Sequence, residues 1–95
     1  MTNKQRAYLS SLASDMSPIL QIGKASLTPE YTSAVDEALE ARELIKISVL
    51  KNCFDDPKEI ANVLSERTHS EVVRVIGRKI ILYRPSKKPT IKLPQ

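Results

Sequence analysis

The sequence predicts an α/β fold: a two-layer sandwich in the order α-β-α-β-α-β-β over a four-stranded mixed sheet. Three observations point to it. Apolar residues recur at spacings of three and four in three segments, β-branched runs lie between them, and a glycine-led turn near residue 77 joins the last two runs. The chain of 95 residues suits one domain with one modest core.

Tyr8, Leu9, Leu12, Ala13 and Met16 share one face of a helix over roughly residues 3 to 15, which Pro18 terminates. "PILQI" then reads as a short buried strand ending at Gly23. The second helix has the strongest signature: Thr28 as N-cap, Pro29 at the first position, and Tyr31, Ala34, Val35, Ala38 and Leu39 facing inward. In "LIKISVL", Ile45, Ile47 and Val49 alternate with Lys46 and Ser48, a strand with one buried face. The third helix repeats the start signal, with Asp56 as N-cap, Pro57 next and Glu59 completing a capping-box pattern. Ile60, Ala61, Val63 and Leu64 form its inner face. "EVVRVIGRKIILYRP" is two strands joined by Gly77 and Arg78, glycine first as a type II′ turn requires. Residues 1–85 form the domain; the proline- and lysine-rich 86–95 is expected to be a flexible basic tail.

The formal net charge is +4, and its distribution says more than its total. From Glu71 onward seven basic residues face one acid, whereas residues 1–70 sum to −2. Such asymmetry fits a binder of nucleic acid or of an acidic surface, and equally a solvated tail that aids solubility. Cys53 is the single cysteine, which excludes an internal disulfide and a multi-cysteine metal site. No long apolar run is present, so neither export nor membrane insertion is expected, and the expected location is the cytoplasm.

Strands joined through single helices run parallel, so the first three should end at one edge of the sheet. The connections 23–26, 50–56 and 77–79 then bring Lys24, Lys51, Arg78 and Lys79 together beside the amino ends of two helices. Asp55, Asp56 and Glu30 lie at the same edge and oppose a polyanion. The same glycine and lysine also fit a plain strand-to-helix turn, with Gly23 supplying a positive φ.

Catalysis finds little support. His69 and Cys53 lie in no nucleophile or metal spacing, Lys24 lacks a preceding glycine-rich run, and the acids of the second helix form a solvated face. No cofactor and no metal are expected. Aromatics are few, with Tyr8 and Tyr31 assigned to the core, so a nucleic acid would be held through phosphates, sugars and shape.

The stretches "IGKASLT", "ALEARELIKISVL" and "VVRVIGRKIILYRP", in this order, resemble the CRM domain (chloroplast RNA splicing and ribosome maturation), in particular its stand-alone bacterial YhbY-type members. The likeness spans residues 3 to 85. It implies a fold like the C-terminal domain of bacterial translation initiation factor three, with strand order 1-2-4-3. It also implies RNA binding, with ribosomal RNA and precursors of the large ribosomal subunit as partners. In that family a G-x-x-G loop after the first strand is compared with the loop by which KH domains grip the RNA backbone, although the KH topology differs. Here the loop reads Gly23, Lys24, Ala25, Ser26, with serine in place of the second glycine.

The expected RNA contacts are therefore Gly23, Lys24, Ala25 and Ser26, with Lys51, Arg78 and Lys79 around them and Arg74 and Arg84 on the last two strands. The expected role is a non-enzymatic, monomeric factor in ribosome assembly. The alternative is a protein-interaction module that docks on a ribosomal protein or another assembly factor.

Overall fold

A computed structural model describes residues 1–95. Seven elements follow one another: α1 (Asn3–Ser14), β1 (Leu20–Ile22), α2 (Pro29–Arg42), β2 (Leu44–Val49), α3 (Pro57–Thr68), β3 (Glu71–Ile76) and β4 (Lys79–Tyr83). The sheet order is β1-β2-β4-β3. β1 pairs with β2 in parallel, and β4 runs antiparallel to both β2 and β3. β1, β2 and β3 therefore point the same way, and their carboxyl ends share an edge.

Local chemistry sets the helix starts. Thr28 accepts from the Tyr31 amide and Asp56 from that of Lys58, each followed by proline, whose fixed φ suits the first helical turn and whose missing N–H leaves nothing unpaired there. The capping box expected at Asp56 and Glu59 does not form, because Asp56 turns to the nearer amide of Lys58. A complete capping box stands instead on α1, where Thr2 and Gln5 exchange side-chain and backbone bonds.

The sheet is covered on both faces, one layer more than the expected two. On one face Val35 and Leu39 of α2 and Ile60, Ala61 and Leu64 of α3 pack on Ile22, Ile45, Ile47, Val49, Ile80 and Leu82. On the other, Leu9 and Ala13 of α1 pack on Leu44, Val73, Ile81 and Tyr83, with Ile91 and Leu93 of the C-terminal segment alongside. β4 is thus an inner strand buried on both sides, which is why "IILY" is a continuous apolar run rather than an alternating one. Tyr8 and Leu12, placed on the inner face of the first helix, are 40% and 41% exposed. The apolar contact of α1 is narrow and buries only Leu9 and Ala13.

Residues 86–95, expected to be loose, lie along the body. Glu43 stands at the end of α2 with φ 67 and is only 2% exposed. Its carboxylate accepts from the amides of Ser86 (2.8 Å), Thr90 (2.9 Å) and Ile91 (2.9 Å) and from the Thr90 hydroxyl (2.7 Å). These four donors outweigh the cost of burial and hold the carboxyl at about 2, well below its usual 4.5, the Ser86 amide contributing most. Composition indicated a tail that could not pack by itself; a buried acid on another element supplies what it lacks.

Candidate nucleic-acid interface

The edge where β1, β2 and β3 end is a connected structure. The Leu50 amide donates to the Ile22 carbonyl (2.9 Å) and the Val49 amide to the Arg78 carbonyl (2.7 Å), tying the loop after β2 to β1 on one side and to the hairpin tip on the other. Ser26 donates its hydroxyl to Asp55 (2.5 Å), and the Cys53 thiol lies 3.9 Å from the same hydroxyl. The three connections therefore meet, as the topology requires.

Within the first loop the Ser26 amide closes a turn onto the Gly23 carbonyl (2.9 Å). The positive φ expected at Gly23 falls instead on Ser26 (φ 54), the position where the related loop carries its second glycine. A serine there bears strain that glycine would not. Gly23 answers to a different constraint: a Cβ on it would stand 3.2 Å from the Asn52 side chain and 3.6 Å from that of Leu50. The amides of Lys24 and Ala25 make no hydrogen bond within the protein, and both residues are exposed. Donor groups thus line the tip of this turn.

The four cations of the edge differ in what they are free to do. Lys24 and Lys51 are exposed and enter no hydrogen bond or ion pair. Lys79 reaches Ser48 at 3.1 Å, on the face covered by α1. Arg78 is a strut: its guanidinium donates to the carbonyls of Val49 (2.9 Å), Leu50 (2.6 Å) and Cys53 (3.1 Å), pinning the loop after β2 to the hairpin. Its charge stays at the edge while its donors are largely committed. Gly77 (φ 56) has open space where a Cβ would stand, so it is the conformation and not the packing that calls for glycine at this turn.

The helix starts contribute less than expected. In the first turn of α2 the Tyr31 amide goes to Thr28 Oγ1, that of Thr32 to the Thr28 carbonyl, and Pro29 has none, leaving the Glu30 amide. α3 repeats the account with Asp56, leaving the Glu59 amide. Asp55 and Asp56 are both engaged in holding backbone or loop in place. The edge therefore presents side-chain charge and loop amides rather than open helix ends.

Two of the nine expected contacts lie elsewhere. Arg84 is at the opposite edge, where β4 ends beside the starts of β2 and β3. It binds Asp36 (2.6 Å), Glu40 (3.5 Å) and the Thr68 carbonyl (2.8 Å), a half-buried tie between α2 and α3. Arg74 lies within β3 against α1, donating to Ser10 at 3.4 Å. One residue at the edge was missed: Phe54, between Cys53 and Asp55, is 90% exposed. An apolar residue between a buried cysteine and two polar caps carries no periodic signal that would set its side.

No three His, Cys, Asp or Glu side chains gather in a group that could hold a metal ion. No helix is long and apolar enough to cross a membrane.

Comparison with known proteins agrees with this architecture. A protein of Bacillus subtilis named "Probable RNA-binding protein YqeI" is 43% identical over 95 residues, covering 99% of each chain. A Haemophilus influenzae protein named "RNA-binding protein" is 32% identical, over 100% of this chain and 96% of its own length. The solution structure of the hypothetical protein SAV1595 from Staphylococcus aureus superposes with a TM-score of 0.84 at 52% identity, covering 99% of both chains. The CRS1 / YhbY (CRM) domain matches residues 1–84, and the chain belongs to that family.

Proposed function

We propose that this protein binds RNA through the edge formed by residues 23–26, 50–56 and 77–79, and that its target is ribosomal RNA within precursors of the large ribosomal subunit. The observation that carries the reading is the convergence of Lys24, Lys51, Arg78 and Lys79 from three distant segments beside the unbonded amides of Lys24 and Ala25. The names of the Bacillus and Haemophilus relatives support RNA as the ligand. The ribosomal target and the assembly role rest on the family resemblance. Action in the cytoplasm rests on the lone Cys53 and the want of a long apolar run, and a non-enzymatic role on the want of a nucleophile or metal spacing.

In this reading Gly23 lets the loop seat against Asn52 and Leu50, Ala25 adds little bulk at the tip, and the Lys24 and Ala25 amides donate to a phosphate. Lys24, Lys51 and Lys79 neutralise neighbouring phosphates, while Arg78 holds the loops in register and adds charge. Arg74 takes at most a flanking phosphate, and Arg84 no part. Three to four phosphate contacts give a log–log salt slope of roughly −2 to −3 on single strands.

The test is a Lys24→Glu, Lys51→Glu double variant, chosen because neither side chain supports the fold. It is expected to unfold at the same urea concentration as the parent, to bind a ribosomal RNA fragment at least roughly tenfold more weakly at low salt, and to leave immature large subunits on sucrose gradients. Parental affinity in the folded variant would sink the proposal.

A further inference from the structure

Phe54 is 90% exposed, whereas the other large exposed apolar residues, Met1, Tyr8, Leu12 and Ile76, lie between 38% and 51%. Single exposed apolar side chains are ordinary, but this one is held in place. Cys53 before it is buried in the core, its amide on the Leu50 carbonyl (3.0 Å) and its own carbonyl on Arg78 (3.1 Å). Asp55 after it is fixed by Ser26, and Asp56 caps α3. These bonds fix the backbone on either side of Phe54, and the loop presents the ring to solvent next to Asp55, which holds the 23–26 turn.

From this we infer that Phe54 is a stacking platform for an unpaired base, and that the edge prefers single-stranded or looped RNA to a continuous duplex. The inference rests on the RNA-binding reading and adds to it the conformation of the RNA. A protein partner would need a contiguous apolar patch, yet the residues flanking the ring along the chain, Lys51, Asn52, Asp55 and Asp56, are all polar and exposed. One flat apolar face within reach of phosphate-binding groups suits a nucleobase, whose face stacks while its own phosphates meet the lysines. Bases within a duplex have no free face to offer.

The chain contains no tryptophan, so Phe54→Trp introduces a single fluorophore at the proposed platform. Binding is measured to a short oligoadenylate, to the corresponding adenylate–uridylate duplex, and to inorganic polyphosphate, which has charge but no bases. Phe54→Ala is expected to weaken oligoadenylate binding by about tenfold, within the range for loss of one stacked base. It should leave polyphosphate and duplex binding, and the urea midpoint, unchanged. Oligoadenylate should quench the Phe54→Trp emission and polyphosphate should not. Unchanged oligoadenylate affinity in Phe54→Ala, an equal loss on all three probes, or an unquenched tryptophan overturns the stacking role and leaves the phosphate grip standing. A parent protein that binds none of the three overturns the grip and the platform together.

Discussion

The Ser26 hydroxyl donates to the Asp55 carboxylate at 2.5 Å, joining the loop after β1 to the loop after β2 from a residue whose φ of 54 is the left-handed conformation. The position sets two effects against each other. Ser26→Gly removes the strain and loses the bond, so its stability should stay within about 1 kcal/mol of the parent. Ser26→Ala keeps the strain and loses the bond, and should cost about 1–3 kcal/mol. Urea unfolding of the two variants decides it, and an alanine variant as stable as the parent would mean the bond contributes nothing.

Arg78 and the lysines of the same edge should separate cleanly. Arg78→Ala strips three carbonyls of a charged donor and should lower stability by about 1.5–3 kcal/mol. Arg78→Lys should rescue little of this, since an ammonium cannot reproduce the planar fork. Lys24→Ala and Lys51→Ala, both exposed and unpaired, should remain within about 0.5 kcal/mol of the parent while reducing RNA affinity. Denaturation midpoints set beside RNA titrations would expose an Arg78 that is merely another surface charge.

Acid should release the C-terminal segment. The Glu43 carboxyl titrates at about 2 in the folded protein against a usual 4.5, so its contribution is complete above pH 4.5 and is lost as pH falls towards 2. The amide resonances of Ser86, Thr90 and Ile91 should move together over that interval in NMR spectra. Glu43→Gln should free the segment at neutral pH at a cost of about 1–3 kcal/mol, because a neutral amide cannot accept all four bonds. Amides that keep their positions in the glutamine variant would show that Ile91 and Leu93 dock the segment without the acid.

Tyr31 buries a hydroxyl that has no partner, and burial, with the nearby Cys53 adding to it, pushes the phenol up to about 12. Tyr31→Phe should raise stability by up to about 1 kcal/mol at neutral pH. The stabilising effect of a phenol kept neutral is present below pH 10 and fades as pH rises towards 12, because the unfolded chain ionises first. The variant should therefore lose part of the parent's alkaline sensitivity in a pH series of thermal melts. A less stable phenylalanine variant would reveal a partner for the hydroxyl in solution.

Much of the architecture is legible along the chain because it is built from local signals. Thr28 with Pro29 and Asp56 with Pro57 announce two helix starts within two residues each, and Gly77 announces the hairpin. The shared edge of Lys24, Lys51 and the 77–79 turn follows from strand direction alone. Local periodicity could not say that α1 covers a second face with only Leu9 and Ala13, since Tyr8 and Leu12 carry the same pattern. Nor could it separate Arg78 from Lys24, because an arginine at a turn reads the same whether or not three carbonyls stand within its reach.

The sequence by itself determined the α/β class, the order of elements and which loops gather their cations at one edge, since caps, turns and periodicities act between residues close along the chain. Only the tertiary structure decided which of those cations are free, that Ser26 and not Gly23 takes the left-handed turn, that Glu43 secures the tail, and that Phe54 faces outward. Each of these depends on a partner tens of residues away, or on the lack of one, and such distances are set by packing rather than by local preference.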